Sequence, residues 1–193
     1  MTAFGVRLGN ISILTVMTIF DDQEGASMSG ASDFDFLLGT WTIHNRRRTN
    51  PFEKEGVWEE FLATQTGEKY LDGRVQMEFF EGETLPSGEV YKGLTIRTFD
   101  EQSQQWFLRW LDNRDPHDFT PLVGAFQDGI GLFYQVITEP LTGQPVRLRF
   151  TWDYGSRGTP RGQQAFSYDE GETWDTIWIA ELTRPGDLSG TGA

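Results

Sequence analysis

The sequence predicts an all-β fold, a single up-and-down antiparallel β-barrel of about ten strands with a short N-terminal plug helix. Aromatic residues make up 14% of the 193 residues, and this share favours strands around a wide interior. Turn signals separate the candidate strands by only a few residues, and connections this short join antiparallel neighbours. A sheet of about ten such strands must curl or close to protect its edges.

The plug helix is predicted from a short stretch that begins at Asp33. One helical turn fits the spacing of three apolar residues, Phe34, Leu37 and Leu38. Ser32 or Asp33 is placed to cap the first N–H groups of this turn, and Gly39 ends it. The strand that follows alternates, and one of its faces carries Trp41, Ile43 and Asn45. His44 belongs to the other face, so we expect it to point toward solvent.

Nine more strands are predicted between turn signals such as Thr66-Gly67 and Asp128-Gly129, the second of which is the strongest short hairpin turn. Their ranges are Gly56–Ala63, Tyr70–Phe80, Glu89–Phe99, Gln105–Asn113, Leu122–Gln127, Ile130–Thr138, Val146–Asp153, Gly162–Tyr168 and Trp174–Arg184. In Val146–Asp153 the alternating apolar residues are expected inside the barrel, which turns Arg147 and Arg149 outward.

The predicted plug helix and strands divide the chain into three parts. Residues 1–31 are an N-terminal extension, residues 32–185 form the barrel and residues 186–193 are a C-terminal tail. An apolar run from Ile11 to Phe20 loosely resembles the central region of a signal peptide, but acidic residues follow it where a cleavage site would need small ones. A secretory signal stays open as an alternative to the cytoplasmic location that we expect.

Composition and charge exclude several classes of partner and site. The net charge of −13 argues against nucleic acid or an anionic membrane, which bind clustered Lys and Arg. The sequence has no cysteine and only two histidines, His44 and His117, which leaves little material for a metal site. We therefore expect no metal and no cofactor. The basic run Arg46–Arg48 is expected to be a solvated strand end.

The beginning and end of the predicted barrel resemble those of the calycin barrels, which are the lipocalins and their relatives. The shared features are the plug helix followed by Gly39-x-Trp41 and an arginine, Arg184, that ends the last strand. In that superfamily the arginine stacks on the tryptophan. The resemblance therefore implies a cation–π contact between Arg184 and Trp41 of roughly 0.5–2 kcal/mol.

Several segments in combination resemble a family of bacterial proteins of unknown function, whose fold is similar to that of the nitrobindins. They are residues 34–41, 106–114, 124–134, 146–152, 164–174 and 175–184. The resemblance implies a fold without an established reaction. One departure is Arg161-Gly162-Gln163, where the family would have a bulky aromatic residue beside the cavity. A haem protein of the nitrobindin type is disfavoured, because neither histidine lies on the late strands.

Residues 167–174 match the Asp-box, Ser-x-Asp-x-Gly-x-Thr-Trp, which is found repeated in sialidase propellers. Its spacing suits a tight hairpin in which Asp169 accepts backbone N–H bonds, Gly171 takes a positive φ and Trp174 packs beneath. A single copy on a barrel hairpin does not make a glycosidase. We therefore assign Asp169 and Gly171 a structural role, as we do Trp41 and Arg184.

The candidate ligand contacts are polar and aromatic residues that alternation could turn inward, together with residues near the mouth of the cavity such as Arg114. They are Asn45, Arg47, Trp58, Trp110, Arg114, Tyr134 and Gln164, and the strand that carries Phe80 adds Gln76 and Glu78 on the same face. Arginine beside an apolar cavity favours an oxygen-rich, even anionic, ligand head. The alternative is that the arginines pair with carboxylates such as Asp112 or Glu60.

The predicted function is binding of a small hydrophobic or aromatic, oxygen-bearing molecule in the barrel. The alternative is a cofactor-independent isomerase, cyclase or lyase acting on such a molecule, with His117 and Tyr134 as acid–base candidates. The sequence does not decide between binder and enzyme. The expected partner is a small hydrophobic ligand, with no nucleic acid and no membrane, and a homodimer is an open alternative.

We expect a chain that begins at Met28 to fold and to melt cooperatively, because the plug and the first strand lie entirely after that residue. Differential scanning calorimetry of this shortened chain and of the full chain tests the expectation. Loss of the cooperative transition would show that residues 1–27 belong to the barrel.

Overall fold

The structure is a computed structural model and describes residues 29–85, 88–154 and 158–186. Ten strands form one closed barrel in which each strand pairs antiparallel with its neighbours in sequence and the first pairs with the last. They are β1 (Gly39–Arg48), β2 (Trp58–Tyr70), β3 (Val75–Thr84), β4 (Val90–Asp100), β5 (Gln105–Asp112), β6 (Leu122–Gln127), β7 (Ile130–Thr138), β8 (Pro145–Asp153), β9 (Arg161–Ser167) and β10 (Asp175–Thr183). The predicted fold class is confirmed.

The predicted plug helix is a single 3₁₀ turn, Asp35–Leu37, that closes the end of the barrel where β1 begins. Phe34 and Leu37 are completely buried, and the Phe34 ring lies 4.9–5.4 Å from three interior rings, those of Trp106, Phe126 and Phe133. Apolar burial therefore holds the plug in place. Burying a side chain of this size contributes on the order of 2 kcal/mol.

The expectation that Ser32 or Asp33 caps the plug with its side chain is wrong, because no side-chain hydrogen bond caps this turn. Ser32 supplies only its backbone carbonyl, which accepts from the Asp35 N–H at 2.9 Å. The Asp33 carboxylate instead accepts from Ser29 Oγ at 2.6 Å and from Trp106 Nε1 at 3.3 Å. Ser29 Oγ in turn accepts from the Phe126 N–H at 3.2 Å, so contacts with the barrel begin three residues before residue 32. Residues 1–27, the subject of the deletion test, lie outside the described residues.

The prediction of a turn at Thr66-Gly67 is wrong, because β2 continues through these two residues to Tyr70. Gly67 pairs with Gly39 of β1, and a Cβ atom at Gly67 would lie 2.5 Å from the carbonyl oxygen of Leu37. The glycine is therefore there to let the plug cross the strand. The chain reverses later, at Leu71, Asp72 and Gly73, which all have positive φ values. Asp72-Gly73 is the same dipeptide turn signal as Asp128-Gly129, so the sequence did indicate a reversal at this point.

In β1 and β8 the residues that alternate along the strand face the interior and the exterior of the barrel as the sequence predicted. Trp41, Ile43 and Asn45 are buried inside the barrel, whereas His44 is exposed and lies 3.3 Å from Glu60. In β8 the apolar residues Leu148, Phe150 and Trp152 face inward. Arg149 lies outside and packs its guanidinium 4.2 Å from the centroid of the Trp174 ring.

Arg184 joins the end of the last strand to the beginning of the first. Its guanidinium carbon lies 3.5 Å from the centroid of the Trp41 ring. Its Nη1 also donates to the carbonyl oxygens of Leu38 at 3.0 Å and Thr40 at 3.1 Å. The stack implied by the calycin resemblance is thus present, and two hydrogen bonds to the β1 entry accompany it.

Replacing Arg184 with alanine should lower the free energy of unfolding by about 1 kcal/mol or more, because the stack, the packed stem and the two carbonyl contacts are lost together. Urea unfolding followed by tryptophan fluorescence measures the change. Arg184→Lys should lie between wild type and alanine, since lysine keeps the charge but not the planar fork. Arg74→Ala, at an exposed turn residue, is the control. An Arg184→Ala midpoint equal to that of the control would contradict the stabilising role.

Candidate ligand cavity

The barrel interior contains a cavity of about 70 Å³ that is partly open. Most of its wall is apolar, and the aromatic residues that line it are Phe80, Trp110, Phe150, Trp152 and Trp178. Six polar side chains complete the wall, namely Asn45, Gln65, Glu78, Thr95, Arg97 and Gln164. An apolar enclosure with a few polar groups is the usual composition of a small-molecule site.

A buried ion pair between Glu78 of β3 and Arg97 of β4 forms part of this wall. Each residue is only 1% exposed, and Glu78 Oε1 pairs with Arg97 Nη1. Burial raises the pKa of the Glu78 carboxyl, and the charge of Arg97 opposes that rise. The guanidinium also lies 4.5 Å from the centroid of the Phe34 ring, so the pair contacts the plug as well as the cavity.

Apart from the Oε1–Nη1 contact of the ion pair, four shielded atoms of cavity-lining side chains have no hydrogen-bond partner among the described residues. They are the donors Gln65 Nε2, Trp152 Nε1 and Arg97 Nε and the acceptor Glu78 Oε2. Gln65, Trp152 and Glu78 are at most 5% exposed, so bulk water does not satisfy these atoms. Leaving a buried donor or acceptor unpaired costs about 1–3 kcal/mol. Side chains of the cavity wall therefore carry hydrogen-bond capacity that the described protein groups do not satisfy.

Three of the predicted ligand contacts line the cavity, and these are Asn45, Trp110 and Gln164. Asn45 is completely buried, and its Oδ1 accepts a hydrogen bond from Trp178 Nε1 at 3.0 Å. Trp110 donates from Nε1 to Asp112 Oδ2 at 3.2 Å, which presents the rest of the indole to the interior. Alternation placed these residues correctly because each lies on a strand whose register the apolar residues define.

The end of the barrel opposite the plug is filled by five aromatic rings, those of Phe61, Phe80, Tyr91, Trp110 and Trp178. The guanidinium carbons of Arg47 and Arg114 lie 4.6 and 4.2 Å from the centroid of the Tyr91 ring. Tyr91 is 1% exposed and donates from its hydroxyl to Asp112 Oδ2 at 2.9 Å. Burial raises the pKa of this hydroxyl. This aromatic end separates the cavity from the two arginines.

Arg47 and Arg114, two predicted ligand contacts, do not line the cavity and are both paired with carboxylates. Arg47 Nε lies 2.7 Å from Glu59 Oε1, and Arg114 Nη2 lies 2.8 Å from Asp112 Oδ2. The alternative that the arginines pair with carboxylates therefore holds for Arg114, whose partner is Asp112. Glu60, the other carboxylate considered, contacts His44 and Arg46 instead.

The other predicted site residues lie on the outside of the barrel. Trp58 is 36% exposed and packs beside Arg46 and Arg48, and Tyr134 is 41% exposed and lies 6.1 Å from the Trp174 ring. His117 is exposed in the loop between β5 and β6. Neither acid–base candidate thus belongs to the cavity wall. For Tyr134 the sequence was ambiguous, since Phe133 beside it is also aromatic and is the residue that faces inward.

Sequence reasoning missed Gln65, Thr95 and Arg97 as cavity residues. Gln65 was lost because the predicted second strand ended at Ala63. Thr95 and Arg97 alternate with Tyr91 on β4, so the period-two pattern could have found them, but a charged residue is normally assigned to the outside. The burial of Arg97 depends on its pairing with Glu78, which lies on the neighbouring strand.

The wall is weakest between β5 and β6, which share three paired positions, fewer than at any other seam. The second half of β5 continues beyond this pairing, and the exposed loop 113–121 follows it. Trp110 and Leu122 lie on either side of the seam, and both line the cavity. This is the part of the wall where the fewest backbone hydrogen bonds must open to admit a molecule.

The Asp-box forms the hairpin between β9 and β10, away from the cavity. Asp169 Oδ1 accepts from the Thr173 N–H at 2.9 Å and from Ser167 Oγ at 2.7 Å. Gly171 has a φ of +104°, and its carbonyl accepts from Trp174 Nε1 at 3.0 Å. Hydrogen bonds from Thr173 hold the pKa of Asp169 well below its usual range. These contacts are those expected for a structural hairpin.

A scan against protein-family models and a search of curated proteins find no match to this chain. The closed ten-strand barrel is compatible with a calycin fold, and membership of the bacterial family stays a prediction. Among the residues that the structure describes, no group of three or more His, Asp or Glu is arranged to hold a metal ion. Within the same ranges, no helix has the length and apolarity needed to cross a membrane.

Asp112→Asn should destabilise the protein by about 1–3 kcal/mol at neutral pH, because this carboxylate accepts hydrogen bonds from Tyr91, Trp110 and Arg114. Although burial acts to raise the pKa of Asp112, the hydrogen bonds from Arg114 hold it well below its usual range. Its contribution is therefore complete above the unfolded pKa of about 4 and is lost as pH falls through the lower folded pKa.

Urea unfolding of wild type and variant across the acidic range measures this dependence. The difference between them should shrink as pH falls below about 3. Asp72→Asn, at an exposed turn residue, is the control and should show no such trend. A difference that stays constant down to the lowest pH would contradict the stabilising role of the ionised carboxylate.

Proposed function

We propose that the protein is a small-molecule-binding β-barrel that holds a hydrophobic or aromatic, oxygen-bearing ligand in its interior. The observation that supports this most is the combination of a mostly apolar cavity with buried polar atoms that have no partner among the described residues. An apolar wall contributes free energy through burial of the ligand surface. The unpaired polar atoms contribute orientation, because a ligand that meets them removes their desolvation cost.

The size of the cavity limits which molecules fit entirely inside it. Its volume of about 70 Å³ is roughly half that of an engineered cavity of about 150 Å³ that binds benzene. The ligand head and part of a ring fit without rearrangement, and the remainder of a larger molecule would extend toward the open side. The β5–β6 seam is the entry route that we favour, since it has the fewest paired positions.

Binding is favoured over catalysis as the primary role. The isomerase, cyclase or lyase alternative depended on His117 and Tyr134, and both are exposed outside the cavity. The ligand-binding residues that we propose are those of the cavity wall. Asn45, Trp110, Gln164 and Glu78 are retained from the sequence, and Gln65, Thr95 and Arg97 are added by the structure.

Filling the cavity should abolish binding while leaving the fold intact. Ala180 lies on β10, faces Asn45 across the β1–β10 pairing and lines the cavity, so Ala180→Leu places three more carbon atoms inside it. We expect affinity for any interior ligand to fall at least about tenfold, a change of about 1.4 kcal/mol or more. Tryptophan quenching with a panel of aromatic and aliphatic alcohols, amides and acids identifies the ligand and measures the change.

Ala125→Leu is the matched control, because Ala125 points outward on β6 next to the inward Phe126. It should keep wild-type affinity. Mass spectrometry of the purified protein under native conditions adds an independent measurement, since a ligand retained from the cell should be absent from the Ala180→Leu protein. The proposal fails if no member of the panel binds saturably and no ligand is retained, or if both variants bind equally well.

A further inference from the structure

The charge inside the cavity is balanced before any ligand enters. Among the residues that the structure describes, Glu78 and Arg97 are the only formally charged ones that line it, and they pair with each other. The nearest arginines predicted from the sequence, Arg47 and Arg114, lie beyond the aromatic end and have carboxylate partners of their own. No unpaired cation of the described wall is therefore available to a negatively charged ligand.

The wall atoms that have no hydrogen-bond partner include both donors and an acceptor. Gln65 Nε2, Trp152 Nε1 and Arg97 Nε are donors without a hydrogen-bond partner in the described structure, and Glu78 Oε2 is an acceptor without one. Arg97 lies between two of these residues. It pairs with Glu78, and its guanidinium carbon lies 5.9 Å from the centroid of the Trp152 ring. A ligand that satisfies the wall must present an acceptor and a donor together.

From these two observations, and resting on the proposed function, we infer that the ligand head is uncharged and carries both a hydrogen-bond acceptor and a donor, as a primary carboxamide does. Its oxygen accepts from Gln65 or Trp152, and its N–H group donates to Glu78 Oε2. A carboxylate of the same shape has no donor for Glu78 and would place a second negative charge beside it. A purely apolar molecule would leave all of these wall atoms unpaired.

This inference replaces the anionic head that the sequence favoured. A buried charge is stable only when a partner neutralises it, and Glu78 already neutralises the charge of Arg97, the cation that an anion would need. A ligand that cannot pair the buried polar groups of a site leaves them without hydrogen bonds, and the site therefore binds it much more weakly.

Three probes of nearly equal shape test the inference on the full chain, namely benzamide, benzoate and toluene, titrated at neutral pH by calorimetry. Benzamide should bind at least about tenfold more tightly than either of the others. Gln65→Leu should reduce benzamide affinity while toluene affinity is unchanged or increased. Trp152→Phe provides a second variant that removes a single donor. Gln127→Leu, at an exposed residue at the end of β6, is the matched control and should bind as wild type does.

A charge variant provides the sharpest contrast. Glu78→Gln removes the negative charge and leaves the Arg97 guanidinium without its partner, so the preference should move from benzamide toward benzoate. If this variant does not fold, the comparison of the three probes on the wild type and on Gln65→Leu still decides the question.

The inference is overturned if wild type binds benzoate as tightly as benzamide, or if toluene equals benzamide. In either case the proposed function stands as long as the bound probe is excluded by Ala180→Leu. If none of the three probes binds, and no other member of the ligand panel does, the polar wall is satisfied by ordered water alone, and the proposed function fails together with this inference.

Discussion

The ion pair between Glu78 and Arg97 is the interaction on which the interior of this barrel depends. Both side chains are almost completely shielded from solvent, and an unpaired charge at that depth would be costly. The pair is also connected to the plug. Gln76, next to Glu78 on the inward face, donates to the Phe34 carbonyl at 3.1 Å, and Arg97 packs against the Phe34 ring. Plug, wall and cavity therefore share one set of contacts, and a change at any of the three reaches the others.

The two ends of the barrel are closed by different means. At one end the plug buries Phe34 and Leu37 and is held by the Asp33 carboxylate and by the Arg184 stack on Trp41. At the other end five aromatic rings pack together, and paired arginines cover Tyr91. The cavity lies between the two closures. Its apolar surface belongs largely to the aromatic end, whereas its charged pair belongs to the plug end, so a ligand bound there would contact both.

The arginines show why a charged residue must be interpreted with its partners. The chain carries an excess of carboxylates, 29 Asp and Glu against 16 Lys and Arg, so an acidic partner is available to most of its cations. Arg47 pairs with Glu59, Arg48 with Asp175 and Arg114 with Asp112. An arginine close to the cavity is consequently not a free anion site. The interior selects by hydrogen bonding and shape more than by charge, which is the basis of the uncharged ligand head that we infer.

The sequence by itself determined the fold class, the number of strands and the approximate position of most of them. Alternation fixed the inward faces of β1 and β8, and the turn at Asp128-Gly129 lies between β6 and β7 as predicted. These features depend on neighbours in the chain, for which the period-two pattern of apolar residues is sufficient information. The closure by Arg184 and Trp41 came from the resemblance, since nothing local connects residues so far apart in sequence.

Only the tertiary structure decided the cavity. Gly67 resembles a turn residue until the plug is seen to cross it, and Arg97 resembles a surface residue until Glu78 is placed beside it on the next strand. Gln65 became a wall residue once β2 was extended past that glycine. In each case the deciding contact joins segments that are distant in sequence. Whether a polar side chain is paired, buried or available to a ligand is set by such contacts, and local pattern does not contain them.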